Sequence, residues 1–534
     1  MTNNLKIDLA PHHRDFLDLT IPDALDLAAR RWGDRLAVKL IEGRPSEHTW
    51  SQLRMLVARV RSGLEAGGVE PGDKVGIMLG NQLEFPLAWL AVIEAGAVAV
   101  PLNSKYTARE VDFVLGDADA TWLITEGETI ERLARDGSVG PVPMDRVIPV
   151  GGAVPGTGPD FSVLMSTDIT PRTHRAGTLD VVNIQFTSGT TGLPKGCLLT
   201  HEYWTEFGVY SSALFDDPQR LLADHPFYYM QNQAYFMMAL AGGGALYVTK
   251  GLSRRKFMGW LTDHEIDFAW LDDFMLAEPA GATDQHLAIG KAPVSGVSGS
   301  AHTGLEKRFG LLARDWYAST EAGNGTFVPW ERTDLTGTPT IGLAWPTRET
   351  KIIAENGDEA GPGVAGELCL RGKGMMLGYH NRPETNAELF LPGGWYRTGD
   401  LVRKDSDGLH YFEGRIKDMV KRSGENISCA EVELRIMELP EVAEAGVVPV
   451  PDPDRGEEVK AVIVLEDGAT LSAERVAQWC REGLAAFKVP RYVEFRDRLP
   501  HTPSGKTAKS VLRSEPEPFG TGVVDLRPPA RAGN

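Results

Sequence analysis

The chain has 534 residues, of which 42% are hydrophobic and 24% charged, and its formal net charge is −18. This length predicts about three or four structural units with sizeable cores. The negative charge argues against nucleic acid as a partner, because nucleic-acid-binding proteins present basic surfaces. An anionic substrate would have to be held by local cations against a repulsive mean field.

The cysteine pattern and the first residues predict a cytoplasmic protein. The chain has four scattered cysteines: Cys197, Cys369, Cys429 and Cys480. They show neither metal-ligand spacing nor a disulfide pattern. The first fifteen residues lack the apolar segment of a secretion signal. The most apolar run, residues 85–102, contains Glu94 and Pro101 and predicts a buried helix and strand, so we expect no membrane span.

Helix and strand signals alternate through the first part of the chain. The predicted helices are residues 21–31, 50–66, 82–95, 107–115 and 201–214, and the predicted strands are residues 37–40, 74–79, 98–101 and 122–125. Such a βαβ rhythm predicts a largely parallel sheet with right-handed crossovers. Residues 351–371 follow a strand–turn–strand pattern that is typical of an antiparallel appendage.

Residues 185–201, QFTSGTTGLPKGCLLTH, have the composition of a triphosphate-binding loop. The small residues that follow the apolar lead-in are Thr187, Ser188, Gly189, Thr190, Thr191 and Gly192. Glycines let backbone N–H groups turn inward, hydroxyls add donors, and Lys195 adds a full charge. The loop differs from a Walker A sequence, because Pro194 precedes the lysine and Gly196 follows it. Taken alone, the string would also suit an ordinary surface loop.

Four further motifs follow in a fixed order. They are YASTE (317–321), GWYRTGDL (394–401), GRIKDMVKRSGENIS (414–428) and TPSGKTAKSVLR (502–513). Together with the loop, they resemble the adenylate-forming superfamily, which includes acyl-CoA ligases, free-standing adenylation domains and beetle luciferase. The resemblance covers residues 20–513, and the SGENIS and TPSGK forms look most like the acyl-CoA ligase branch.

The resemblance implies an α/β fold in two main parts. Residues 1–416 would form a large N-terminal part of several subdomains, with parallel and mixed sheets flanked by helices and a β-barrel-like appendage. Residues 417–514 would form a small, mobile α+β C-terminal domain, joined at a hinge at Lys417. Residues 515–534 show no periodicity and are predicted to be a flexible tail. The sequence leaves a homodimer open as the assembly.

Several positions are expected to bind the nucleotide. The residues that the resemblance assigns to it are Thr187, Ser188, Gly189, Thr191, Gly192, Gly299, Ser300, Ala301, Tyr317, Ala318, Ser319, Thr320, Asp400 and Arg415. We predict a strand and then a small loop over residues 294–303, with Gly299 to Ala301 beneath the adenine. Tyr317 offers a flat face to the purine. Asp400 is an acceptor-only side chain, which suits the two ribose hydroxyls.

The implied chemistry has two steps and uses ATP, Mg²⁺ and CoA. A carboxylate attacks the α-phosphorus of ATP to give an acyl-adenylate and pyrophosphate, and a thiol then displaces AMP. The residues expected to act in the first step are Lys506, Thr190, Glu321 and Lys195, with Glu321 and Thr190 at the metal. The alternative for Glu321 and Lys506 is that each is an ordinary solvent-exposed side chain without a catalytic role, since most acids and lysines are exposed.

The acid pocket is assigned to Trp204, Tyr229, Gln233 and Gly296. Tyr229 stands where CoA ligases of the superfamily usually have histidine, which leaves the identity of the acid open. Amino-acid activators of the superfamily place an aspartate in this aromatic turn, and this chain has none there. A free α-amino acid is therefore disfavoured as the substrate.

The thiol is expected to approach along the SGENIS loop. The residues assigned to it are Lys421, Arg422, Ser423, Gly424 and Glu425, with Arg491 as a further phosphate partner. The sequence therefore predicts an ATP-dependent acyl-CoA ligase. One alternative is an adenylating enzyme with another acceptor, such as a carrier-protein thiol or an amine, or one that activates nitrite for diazotisation of an aryl amine. The other alternative is a nucleotide-binding homologue without catalysis.

Overall fold

The computed structural model describes most of the chain. The described residues are 4–43, 45–136, 138–187, 194–277, 279–281, 284–422, 425–453, 455–484, 486–502, 506–515, 519–520 and 522–526. They form two compact units. The first holds residues up to 187, 194–349 and 370–396, and the second holds residues 350–369 and those from 397 onward. The division at Lys417 and the mobility of the C-terminal domain stay predictions.

The helices are α1 Pro11–Arg14, α2 Ile21–Trp32, α3 Trp50–Ala66, α4 Glu84–Glu94, α5 Ala108–Asp117, α6 Gly127–Arg135, α7 Phe161–Leu164, α8 His201–Leu214, α9 Met230–Gly242, α10 Arg254–Asp263, α11 Phe274–Ala277, α12 Gly299–Phe309, α13 Pro383–Leu389, α14 Cys429–Met437, α15 Ala473–Gly483 and α16 Lys509–Arg513. None of the described helices is long and apolar enough to cross a membrane.

The strands are β1 Leu36–Leu40, β2 Ser46–Thr49, β3 Lys74–Met78, β4 Val98–Pro101, β5 Trp122–Glu126, β6 Val147–Val150, β7 Val181–Thr187, β8 Lys195–Thr200, β9 Arg220–Ala223, β10 Ala245–Val248, β11 Lys291–Val294, β12 Leu312–Ser319, β13 Gly323–Phe327, β14 Thr340–Ala344, β15 Arg348–Ile353, β16 Ala365–Gly372, β17 Phe390–Leu391, β18 Trp395–Lys404, β19 His410–Arg415, β20 Met419–Arg422, β21 Glu425–Ser428, β22 Val442–Asp452, β23 Gly456–Leu465, β24 Tyr492–Phe495 and β25 Val523–Asp525.

A six-stranded sheet with the order β6-β5-β3-β4-β7-β8 is the framework of the first unit. Its first five strands are parallel, and only the β7–β8 pair is antiparallel. The central strands are buried along nearly their whole length, which explains their continuous apolar sequences. The predicted α/β class, with mixed sheets flanked by helices, is confirmed.

Two other strand groups complete the first unit. One sheet has the order β2-β1-β10-β9, and β1, β10 and β9 in it run parallel. In the other group, β11 lies parallel to β12, and β12, β13 and β14 follow as an antiparallel meander. The YASTE motif covers the last three residues of β12 and the first two residues of the turn that leads to β13.

The second unit contains one strand group completely and most residues of another. In one, β19, β18, β16 and β15 are consecutive neighbours, with β18 and β19 antiparallel. The other has the order β21-β20-β23-β24-β25, with β22 also paired to β23. Strand β25 lies within the segment predicted as a tail, and it pairs antiparallel with β24.

One local prediction is wrong. Residues 299–303 were expected to form a loop, but Gly299 begins helix α12, whose N-cap Ser298 accepts a hydrogen bond from Ala301 N. The cap satisfies one of the free N–H groups of the first turn. A run of small residues looks like a loop in a sequence, whereas here Gly299 permits a close backbone approach. A Cβ at this position would lie 2.3 Å from the carbonyl oxygen of Gly337.

We expect Gly208→Ala to destabilise the first unit. Gly208 lies in α8 against α9, where an added Cβ would meet the carbonyl oxygen of Met237 at 2.5 Å. The backbone of α9 cannot move away without disturbing the helix, so the free energy of unfolding should fall by about 1–3 kcal/mol. Chemical denaturation followed by tryptophan fluorescence measures the change.

The matched control is Gly259→Ala in α10, where the nearest atom of the described residues to the added Cβ is a side-chain oxygen of Asp263 at 3.9 Å. Alanine favours helix over glycine, so this variant should be unchanged or more stable by about 0.5–1 kcal/mol. Equal behaviour of the two variants would contradict close packing of α8 on α9.

Candidate functional site

The predicted phosphate loop connects β7 and β8, whose ends are paired. Thr187, the last residue of β7, lies directly opposite Lys195, the first residue of β8, in the antiparallel register. The predicted loop residues Ser188, Gly189, Thr190, Thr191 and Gly192 lie outside the described residues. The hairpin therefore brings together Thr187 and Lys195, the two predicted phosphate-binding residues of this motif that the structure describes.

Lys195 and Glu321 share one neighbour, Tyr379. The phenol of Tyr379 donates a hydrogen bond of 2.8 Å to Oε1 of Glu321. The ammonium of Lys195 lies 5.3 Å from the centroid of the same ring. Burial, and then the Glu321 carboxylate, raise the pKa of Tyr379, so the phenol stays neutral. Sequence reasoning missed Tyr379, because no local pattern shows that its hydroxyl meets Glu321.

The turn that carries Glu321 is held by a buried arginine, which sequence reasoning also missed. Arg348 is almost fully buried and donates to the carbonyl oxygens of Ala322, at 2.9 Å, and of Gly374, at 2.9 Å. Its Nη1 lies 4.0 Å from Oε1 of Glu206. Burial raises the pKa of Glu206 and lowers that of Arg348, and their mutual attraction opposes both shifts.

The rest of the YASTE motif lies on β12 and its turn. The ring of Tyr317 rests on Gly325 of β13, where a Cβ would approach within 2.6 Å of the ring. Ala318 is exposed and Ser319 and Thr320 are half-buried, and Ser319 Oγ accepts from Ala322 N at 3.0 Å. These positions suit a nucleotide-facing turn, and their roles stay predictions.

Two glycines near the start of α12, Gly296 and Gly299, are exposed. Gly296 lies in the turn after β11 with φ +69°, a conformation that glycine adopts freely. Gly299, Ser300 and Ala301 form the first turn of α12. Ser300 Oγ lies 3.1 Å from Ser298 Oγ. The predicted adenine contacts would come from this helical turn.

The predicted acid pocket lies around the start of α9. Tyr229 is the N-cap of α9, and its hydroxyl accepts a weak hydrogen bond of 3.4 Å from Asn103. Burial raises the pKa of Tyr229, so its phenol is neutral. Trp204 is fully buried in α8, edge-to-face against Trp89 with ring centroids 5.5 Å apart.

A chain of amides connects this region to β7. Trp89 Nε1 donates to Asn183 at 2.7 Å, Asn183 donates to Gln185 at 3.3 Å, and Gln185 donates to the carbonyl of Tyr228 at 2.7 Å. Gln233 donates to the carbonyl of Phe227 at 2.8 Å. Since an indole can only donate, these bonds fix the direction of the chain. The aromatic turn is thereby held in place.

In the second unit, the predicted ribose pair is brought together. Asp400 and Arg415 are opposite each other in the β18–β19 register, and Nε of Arg415 lies 2.7 Å from Oδ1 of Asp400. Asp400 is 1% exposed, and its N–H donates to Thr398 Oγ1 at 3.1 Å. A buried carboxylate fixed by a guanidinium is ready to accept from a diol.

The predicted hinge and thiol residues follow along the chain. Lys417 is in a 3₁₀ turn, Ile416–Asp418, between β19 and β20. Lys421 and Arg422 end β20, and Glu425 begins β21 opposite Arg422. The predicted thiol residues Ser423 and Gly424 lie outside the described residues.

All three predicted CoA cations have a carboxylate within ion-pair distance, and they differ in how exposed they are. Arg422 lies 2.8 Å from Glu458, and Arg491 makes a two-pronged pair with Asp525 at 2.9 and 3.0 Å. Lys421 is 65% exposed and only 3.8 Å from Glu355. Lys421 therefore has the most accessible charge of the three.

Lys506 is exposed, and its backbone is bonded to Thr502. The N–H of Thr502 donates to the carbonyl of Lys506 at 2.7 Å, and the N–H of Lys506 donates back to Thr502 Oγ1 at 3.2 Å. The backbone of the lysine is thus anchored while its side chain is free to reach outward. The structure brings Lys195 together with Glu321, and Asp400 with Arg415, within their own units.

Among the described residues, one group could hold a metal by composition: His12, His13 and Asp217. The Nε2 atoms of both histidines lie 2.9 and 2.5 Å from the Asp217 carboxylate. However, Nδ1 of His13 accepts from the N–H of Ala10 at 3.2 Å, so Nε2 carries the proton. The group is a hydrogen-bonded anchor of α1.

Comparisons with known proteins identify the family of the chain. Residues 25–380 match the AMP-binding enzyme family, and residues 431–506 match the AMP-binding enzyme C-terminal domain. A feruloyl-CoA synthase from an Amycolatopsis species is 32% identical over 482 residues, covering 87% of this chain and 93% of that protein. A crotonobetaine/carnitine–CoA ligase from Salmonella paratyphi A is 29% identical over 510 residues, covering 91% and 98%.

Among solved structures, an amide bond synthetase from Marinactinospora thermotolerans is similar to this chain with a TM-score of 0.78 and 25% identity. The similarity covers 92% of this chain and 99% of that one. The family matches therefore cover most of the chain and both predicted catalytic regions. The chain belongs to the AMP-binding enzyme family of the adenylate-forming superfamily, and it is an enzyme that adenylates a carboxylic acid.

Proposed function

We propose that the protein is an ATP-dependent acyl-CoA ligase, which forms an acyl-adenylate and then transfers the acyl group to the thiol of CoA. The observation that carries the proposal is the convergence of Lys195 and Glu321 on Tyr379, in a chain that matches two CoA ligases over nearly its whole length. An inactive homologue would not need to keep a lysine and a carboxylate so close without pairing them.

The residues present fit Mg²⁺ and the triphosphate. Mg²⁺ takes one or two carboxylates and completes its shell with water and phosphate oxygens, and half-buried Glu321 supplies such a carboxylate. When bound, the ion would neutralise charge on the phosphates. Lys195 is proposed to bind the departing pyrophosphate, with Thr187 and Thr190. Asp400 would hold the ribose hydroxyls, with Arg415 beside it.

The attack of a carboxylate on a phosphate brings negative charges together, so the rate depends on cations at the reacting atoms. We assign Lys506 to the α-phosphate and the attacking carboxylate. The hydrogen bonds between Lys506 and Thr502 favour this role, because they limit the backbone freedom of a residue whose side chain is exposed.

The acid would lie against Tyr229, with Gln233 and Trp204 behind it. A neutral tyrosine offers a hydroxyl and an aromatic face, and it adds no negative charge against the substrate. Aromatic acids are the first class to test, because one relative is a feruloyl-CoA synthase.

An amine is the second candidate acceptor. Arg422 and Arg491 are paired with carboxylates, which leaves less free positive charge for the phosphates of CoA. The amide bond synthetase that is similar in structure points in the same direction.

The purified protein should release AMP and pyrophosphate with an aromatic acid, and CoA should accelerate AMP release and give a thioester. Mass spectrometry of the products, with CoA, with a panel of amines and with neither, checks this. An amide in place of the thioester would favour the second candidate. No AMP release with any acid would contradict the proposed function.

Lys506→Ala should lower acyl-adenylate formation by about 10²–10³, because one electrostatic donor at the reacting atoms is lost. Pyrophosphate exchange measures this step. Thioester formation from supplied acyl-adenylate should persist, since that step no longer needs charge on the α-phosphate. Lys256→Ala, which removes a surface ion pair with Glu42, is the control and should leave both steps unchanged. Equal losses in both steps would contradict the assignment.

Asp400→Asn should weaken ATP binding by about ten-fold, the scale of a lost hydrogen bond to a charged group. The wild type should prefer ATP over 2′,3′-dideoxy-ATP, and the variant should lose that preference. Isothermal titration with the two nucleotides gives both affinities. A variant that still discriminates between them would place the ribose elsewhere.

A further inference from the structure

We propose that Tyr379 is a positioning residue that holds the Glu321 carboxylate for a divalent cation and keeps it from pairing with Lys195. The inference rests on the proposed function, since it takes Glu321 as the metal ligand and Lys195 as the phosphate ligand. It adds a residue to the site that none of the sequence motifs contains.

Tyr379 lies next to both charged residues, Glu321 and Lys195. Its hydroxyl donates to Glu321 Oε1 at 2.8 Å, and Lys195 Nζ stands 5.3 Å from the centre of its ring. Within the described part of the chain, Lys195 has no carboxylate at ion-pair distance, 4.0 Å or less. A neutral side chain therefore stands where a direct Lys195–Glu321 pair could otherwise form.

The position of Tyr379 is strongly determined by backbone bonds. Its segment adds to β8, since Leu198 N donates to Gly378 O at 2.9 Å and His380 N donates to Gly196 O at 2.8 Å. The side chain of Asn386 also binds the backbone of Tyr379: it accepts a hydrogen bond from Tyr379 N and donates one to Tyr379 O, both at 2.8 Å.

The same segment is also tied to the turn of the metal ligand. Met376 N donates to the carbonyl of Glu321 at 3.0 Å. Glu321 is therefore fixed relative to Tyr379 through its backbone as well as through its side chain. Lys195 begins the strand on which the segment lies, so all three residues share one rigid frame.

The chemistry of a tyrosine side chain suits its place between the two charges. A phenol has an O–H that can donate to the carboxylate, and its ring adds no charge beside the lysine. A direct Lys195–Glu321 pair at about 4 Å would be strongly attractive in a partly desolvated site. Such a pair would use up the two charges that a phosphate and a metal ion need.

Tyr379→Phe removes the hydroxyl and keeps the ring under Lys195. We expect the variant, saturated with a non-hydrolysable ATP analogue, to bind Mn²⁺ about ten-fold more weakly than the wild type, the scale of one hydrogen bond to a charged group. The electron paramagnetic resonance signal of free Mn²⁺ measures this without turnover. Affinity for the analogue without metal, from calorimetry, should change less than about two-fold, because no phosphate ligand is removed.

The double variant Tyr379→Phe, Lys195→Gln tests the separation of charges. In the single variant, we expect Glu321 to pair with Lys195 and to bind the metal less well. In the Lys195→Gln background that pair cannot form, so Tyr379→Phe should lower the Mn²⁺ affinity by about two-fold or less. Tyr411→Phe is the matched control, because the hydroxyl of Tyr411 donates to the carboxylate of Asp405 at 3.1 Å in the second unit. It should bind Mn²⁺ like the wild type.

Three results would contradict the inference. Unchanged Mn²⁺ affinity in Tyr379→Phe would overturn the positioning role. An equal loss with and without Lys195 would overturn the separation of charges. Failure of the unmodified protein to take up Mn²⁺ with the analogue would instead refute the proposed metal site, and the role of Tyr379 with it.

Discussion

The geometry of the first unit's site depends on one buried guanidinium. Arg348 donates to carbonyl oxygens of two separate segments, at Ala322 and at Gly374, and it has Glu206 as its nearest counter-charge. A buried charge without such partners would be costly, so the two segments have to remain where these bonds place them. The first segment carries Glu321 and the second leads to Tyr379. The position of the Glu321 carboxylate thus depends on the hydrogen bonds that a buried arginine needs.

The net charge of −18 makes the placement of each cation in the site important. Many arginines and lysines of this chain are used in pairs with carboxylates, as Arg422 and Arg491 show. Lys195 differs, because its neighbour is a neutral aromatic ring. A cation over a ring keeps most of its charge available for an anionic ligand while it gains some attraction from the ring. An acidic protein can bind a triphosphate when a few cations are kept from internal pairing in this way.

The sequence predicted the elements whose signals are local. The βαβ rhythm gave the parallel sheet, and helix α8 was predicted with the bounds that it has. Asp400 and Arg415 were each assigned to the nucleotide from their motifs, but their pairing across β18 and β19 was not predicted. Sequence reasoning failed at Gly299, where small residues begin a helix because another backbone packs closely on them. It also missed Tyr379 and Arg348. Their contacts are with residues that are distant in the chain, and a hydrophobic periodicity gives no information about such contacts.

Strand β7 has a consequence for the range of acids that this framework can accept. Side chains two residues apart on a strand point to the same face, so Asn183, Gln185 and Thr187 share one. Gln185 holds the carbonyl of Tyr228 in the aromatic turn, and Thr187 ends the strand opposite Lys195. The strand sets a fixed spacing, about 7 Å from Gln185 to Thr187, between the residues proposed for the acid and those proposed for the phosphates. In the proposed site, a larger acid would have to gain its room from the α9 side, because a shift of β7 would also move Thr187 and its pairing with Lys195.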